Sequence, residues 1–66
     1  MIAFKVDDMT CNHCVGAITK ALQAADANAQ VRIDLEAHRV EIEPRSADAA
    51  KLQAAIRDAG YTPVPA

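Results

Sequence analysis

The spacing of apolar residues switches from every second position to helical spacing and back, and does so twice in 66 residues. Ile2, Phe4 and Val6 alternate with Ala3, Lys5 and Asp7, the signature of a strand with one buried face. Asp8 to Asn12 is polar or small and reads as a loop. From His13 to Asp26, Val15, Ile18, Leu22 and Ala25 fall on one helical stripe, and Asn12 or Thr10 is placed to cap its start. Val31, Ile33 and Leu35 alternate with Arg32, Asp34 and Glu36, and Val40 and Ile42 alternate with Arg39, Glu41 and Glu43. These two strands are joined so tightly around Glu36, Ala37 and His38 that they must form an antiparallel hairpin. Its turn lacks the Asn-Gly that usually marks a two-residue connection.

Pro44 ends the third strand. Ser46 is an N-cap residue, and Asp48 in the first turn suits the helix dipole. Ala49, Leu52, Ile56 and Ala59 form the stripe of a second helix, which Gly60 stops. Tyr61 to Val64 is a short last strand, and Pro63 confines it to a sheet edge. The order is βαββαβ, two strand–helix–strand halves. Right-handed crossovers then place both helices on one face of a four-stranded antiparallel sheet, an α+β architecture. Lys5, Arg32, Asp34, Glu41 and Glu43 are left for the open face. One Phe, one Tyr and no Trp make the core aliphatic and thin. The chain, residues 1–66, is of single-domain size and near the lower limit for a core without staples.

Several functions are excluded by composition. The formal net charge is −2 and the seven Lys and Arg are scattered, so no basic stripe for nucleic acid exists. The apolar runs fall far short of the about 20 residues of a membrane span. The polar run Lys5 to Asp8 lies where a secretory leader needs apolar residues, so the expected compartment is the cytoplasm. Thiols are kept reduced there.

Both cysteines lie in Met9–Cys14, "MTCNHC", at the junction of the first strand and first helix. Free backbone N–H groups and the helix dipole favour anions at such a junction and lower a thiol pKa. A closed structural zinc site needs four ligands, and the chain has two Cys and two His, with His38 in the distant hairpin turn. A thioredoxin-like redox pair also uses Cys-x-x-Cys at a helix start, but the motif here has no Trp before it and the chain is short for that fold. Plain buried cysteines fit poorly in a loop containing Thr10, Asn12 and His13. The remaining reading is an open site in which Cys11 and Cys14 clamp one soft monovalent ion. Cu(I) accepts two sulfur ligands, and coordination number and softness provide selectivity.

The motif "MTCNHC", the following "VGAITKAL" at Val15–Leu22, "AGY" at Ala59–Tyr61 and the βαββαβ order resemble the heavy-metal-associated domain family, most closely its small bacterial cytosolic copper chaperones. The resemblance covers essentially the whole chain. It implies a ferredoxin-like fold and Cu(I) held by Cys11, the more exposed leading ligand, and Cys14, the helix-side ligand. It also implies delivery by thiolate exchange to the metal-binding domains of a copper-transporting P-type ATPase, and a carrier rather than an enzyme. Thr10 stands where zinc-selective relatives often carry Asp, which favours copper. An excised ATPase metal-binding domain, a carrier of Zn, Cd or Hg, and a small thiol-disulfide redox protein remain the alternatives.

Four nearby residues carry two readings each. Met9 packs beneath the loop or is a third sulfur ligand. His13 points outward at the helix start or joins a copper-bridged homodimer. Tyr61 is a core aromatic or, as the resemblance suggests, shields the metal loop or hydrogen-bonds near a sulfur. Asp7 and Asp8 are ordinary strand-end residues or part of an acidic docking patch. His38 is expected to be a solvated turn residue.

Overall fold

A computed structural model describes all of Met1–Ala66. Strand β1 (Ile2–Lys5) leads into helix α1 (Asn12–Ala25); strands β2 (Gln30–Asp34) and β3 (Arg39–Glu43) form the hairpin; helix α2 (Ala49–Asp58) and strand β4 (Val64–Pro65) complete the chain. The sheet order is β2-β3-β1-β4, with every pairing antiparallel. β1 is central: Ile2 and Phe4 stand opposite Ile42 and Val40 of β3, and Phe4 and Lys5 opposite Pro65 and Val64 of β4.

Alternation puts Phe4, Val6, Val40 and Ile42 on one face, and Ile18 and Leu22 of α1 and Leu52 and Ile56 of α2 close over them. All eight are essentially fully buried, and each such side chain contributes about 1.5–3 kcal/mol of transfer free energy. Lys5, Arg32, Asp34 and Glu43 remain exposed on the opposite face, with Glu41 half-buried and paired to Arg39 at 3.0 Å.

The structure departs from the sequence expectations at several points. The last strand is Val64–Pro65 and not Tyr61–Val64; Pro63 is buried ahead of it. β4 lies at the sheet edge, where proline can be tolerated because no outer ladder needs its N–H. Ala49 is exposed, and Ala47, two residues earlier in the loop, takes the buried place. The N-cap of α2 is Asp48, whose carboxylate accepts the Lys51 N–H at 2.9 Å. Ser46 instead donates to Asp26. That residue, expected as the end of the first helix, is its C-cap and is 3% exposed. Its carboxylate accepts the N–H groups of Arg45, Ser46 and Ala47 at 2.8, 2.9 and 3.0 Å, and the Ser46 hydroxyl at 3.3 Å. These donors hold the Asp26 carboxyl well below the usual carboxylate range.

Candidate metal centre

After β1 the chain turns back on itself, with the Met9 N–H donating to the Val6 carbonyl at 3.2 Å. This turn drives the Met9 side chain into the core, where it is fully buried. Thr10, Cys11 and Asn12 then emerge at the surface. Cys11 occupies the N-cap position of α1 in extended conformation, and neither Thr10 nor Asn12 provides the expected side-chain cap. The Cys11 carbonyl accepts the N–H groups of Cys14 and Val15 at 3.1 and 3.3 Å. This first turn brings the two Sγ atoms to 3.1 Å. Both cysteines are free; a disulfide needs about 2.05 Å. Cys11 is exposed, whereas Cys14 is half-buried and packs against the core.

Tyr61 reaches this pair because of how α2 ends. Gly60 takes φ of 100°, a left-handed conformation that favours glycine. The Gly60 and Tyr61 N–H groups turn back to the carbonyls of Arg57 and Ile56 at 3.0 and 3.3 Å, a Schellman closure. Tyr61 is thereby swung toward the helix α1 start. Its hydroxyl is the largest influence on Cys14, followed by the Cys11 side chain and the Thr10 backbone, and together they bring the Cys14 thiol down to about 6. The same contact, with burial and the nearby negative charges, raises the Tyr61 phenol to about 12. Near neutral pH the arrangement is therefore a Cys14 thiolate facing a phenol that keeps its proton, at a helix terminus whose dipole favours negative charge.

Of the residues singled out from the sequence, Cys11, Cys14 and Tyr61 come together at the surface. Met9 lies beneath them in the core, and exposed Thr10 meets the cysteine pair through its backbone. His13 is exposed and lies with Asn12, Gly16, Ala17 and Lys20 along a shallow groove beside α1. Asp8 is more than a strand-end residue: its carboxylate accepts the Thr62 N–H at 3.1 Å, tying the cysteine loop to the segment that carries Tyr61. His38 corrects the sequence expectation most clearly. It is half-buried, and its ring Nδ1 lies 3.0 Å from the Met9 carbonyl. Nothing in the local sequence signals this contact, which spans 29 positions. No cluster of three or more His, Cys, Asp or Glu side chains forms in the chain, so the donor set at the surface is two sulfurs. This is too few for structural zinc and suits an ion of low coordination number. No helix is long and apolar enough to cross a membrane.

A profile of the heavy-metal-associated domain matches residues 3–62. The chain is 38% identical over 63 residues to the COP-associated protein of Helicobacter felis, covering 91% of this chain and 92% of that protein. It is 39% identical over 59 residues to Copper-transporting ATPase 2 of Rhizobium meliloti, covering 86% of this chain but only 7% of the ATPase. Among solved structures, a gold binding protein superposes with a TM-score of 0.93 at 36% identity over the whole of both chains. The copper chaperone Atx1 of Synechocystis PCC6803, in a trimeric copper form, superposes with a TM-score of 0.91 at 36% identity, over 96% of this chain and 98% of that one. The four-stranded sheet with two helices is thus the ferredoxin-like fold of these proteins.

Proposed function

The chain belongs to the heavy-metal-associated domain family, and from that footing we propose that it is a Cu(I) carrier which takes up the ion on Cys11 and Cys14 and passes it to a metal-binding domain of a copper-transporting P-type ATPase. The observation that carries this reading is the unequal exposure of two free sulfurs 3.1 Å apart. Cys14 is fixed in the first helical turn and is largely thiolate at neutral pH. Cys11 sits on a surface loop and can move. With metal–sulfur bonds of about 2.3 Å, a linear clamp needs sulfurs about 4.6 Å apart. The present separation must therefore open by roughly 1.5 Å, and the exposed Cys11 is the ligand free to do it.

Through uptake Tyr61, still protonated, holds its hydroxyl toward Cys14. Transfer then proceeds by ligand exchange. An incoming thiolate of the partner takes a third position on the ion, Cys11 leaves first, and Cys14 leaves when a second partner thiolate arrives. No bond to carbon is made or broken, so the protein is a carrier and not an enzyme. The cytoplasm is where it works, because exchange requires both thiols to stay reduced.

A second reading is that the chain is a metal-binding domain of the ATPase itself, which the likeness to Copper-transporting ATPase 2 supports. The likeness to a gold binding protein supports soft monovalent ions as the class of cargo. Titration of the reduced protein with Cu(I), Zn(II), Cd(II) and Hg(II) against competing chelators tests the cargo. Retention of Cu(I) against a chelator that strips Zn(II) is expected. Failure to retain Cu(I), together with rapid disulfide reduction, overturns the reading in favour of redox chemistry.

A further inference from the structure

We infer that His38 is a positioning residue for the cysteine loop: its imidazole, reaching from the β2–β3 turn, donates the Nδ1 proton to the Met9 carbonyl and fixes the chain two residues before Cys11. A carbonyl can only accept, so Nδ1 carries the proton in this contact of 3.0 Å. Both the Nδ1–H neutral ring and the imidazolium keep that donor.

His38 is itself firmly seated. It takes φ of 55°, a left-handed conformation in which His is several-fold enriched. Its N–H donates to the Leu35 carbonyl at 3.3 Å and its carbonyl accepts the Val6 N–H at 2.8 Å. The ring is thus carried by a backbone locked to the end of β1. Met9 is held by all its handles: its N–H by Val6, its side chain by the core, its carbonyl by His38. Thr10 and Cys11, immediately after it, are exposed, and no side chain caps the helix start. The Cys11 carbonyl is held by the Cys14 and Val15 N–H groups, so the freedom left between the two anchors is that of Thr10 and the Cys11 side chain. The swing of Cys11 that opens the sulfur pair is a short motion about an anchored point. Without the ring, that anchor loses the only one of its three restraints that comes from outside the β1–α1 connection and the core.

The inference rests on the Cu(I) reading, and its test separates the two. His38→Gly removes the ring and suits the left-handed backbone. His38→Asn places Nδ2 the same number of bonds from the backbone as Nδ1 and keeps a donor. His38→Asp has the same shape but only acceptors. Asp26→Asn, far from the cysteine loop, is a control that lowers stability without touching the tether. Each copper-loaded protein is mixed with excess Cu(I) chelator and the release rate followed, with amide hydrogen exchange at Met9 and Cys14, whose N–H groups donate to the Val6 and Cys11 carbonyls, read in the copper-free proteins. Release and exchange in the Gly and Asp variants should be roughly two- to tenfold faster, the range of one net hydrogen bond. The Asn variant and the Asp26→Asn control should stay near the wild-type rates. Wild-type release by the Gly and Asp variants, or equal acceleration by Asp26→Asn, overturns the positioning role. A wild-type protein that never retains Cu(I) overturns the copper reading itself.

Discussion

Replacing Met9 separates packing from ligation at the one sulfur that lies close to the cysteine loop without being a cysteine. Met9 is fully buried among Phe4, Val6, Ile18 and the other core residues. Met9→Ala removes most of that side chain, and buried Met→Ala changes cost about 2–5 kcal/mol. A chain of 66 residues has a total stability of about 3–10 kcal/mol at 0.05–0.15 kcal/mol per residue, so truncation consumes a large fraction of it. Met9→Leu keeps the volume and removes only the sulfur, and swaps of this kind cost less than about 1.5 kcal/mol. The chain has no Trp, so urea unfolding followed by far-ultraviolet circular dichroism is the suitable stability assay. Cu(I) affinity is measured on the same proteins by chelator competition. The Leu variant should retain wild-type Cu(I) affinity with a slightly lower urea midpoint, and the Ala variant should be strongly destabilised. A Leu variant that keeps its stability but binds Cu(I) tenfold more weakly refutes the reasoning, because Met9 would then be a ligand.

Four further outcomes are expected. Tyr61→Phe should raise the Cys14 thiol from about 6 toward the usual thiol range, seen as a shift of the thiolate absorbance titration; an unchanged midpoint would mean the hydroxyl does not act on the sulfur. Because the folded-state Cys14 pKa is lowered, its contribution to copper-free stability is present above the unfolded thiol value and lost as pH falls through about 6; Cys14→Ser should flatten urea midpoints across that window. Asp26→Asn should lower the melting temperature by several degrees at neutral pH and remove part of the acid sensitivity, since the depressed carboxyl stabilises the fold above its unfolded pKa and ceases to as pH falls through the folded value. Asp48→Ala should cost about 1 kcal/mol by loss of the α2 cap, and Ser46→Ala should leave that helix start intact.

The elements and their order were legible because each is short and carries a clean apolar period: Phe4 and Val6, Ile18 and Leu22, Val40 and Ile42, Leu52 and Ile56 all point where their spacing says. The cysteine pair was legible as a local motif, and Gly60 as the stop that turns Tyr61 toward it. What escaped are the contacts between side chains and distant backbone. The Asp26 clip joins positions 19 to 21 residues apart, and the His38 tether joins positions 29 apart. A lone Asp at a helix end and a lone His in a turn carry no periodicity. Their partners are backbone groups, which have no letter in the sequence. The α2 cap is hidden for the same reason: Ser46 and Asp48 are both good caps, and the distant Asp26 engages Ser46 and leaves the helix start to Asp48. The short β4 reflects Pro63, which cannot donate to a ladder.

The duplicated strand–helix–strand plan has two junctions where a strand hands over to a helix, and the Asp26 carboxylate decides that they do not do the same work. At the β3–α2 junction three successive amide protons already clasp an anion belonging to the chain itself. At the β1–α1 junction the helix has no acidic side chain in its first turn and its start carries two sulfurs. A repeat in architecture is thus converted into a single loading port. For the carrier proposed above, the consequence is one ion per molecule, set by which half of the repeat supplies its own counter-charge.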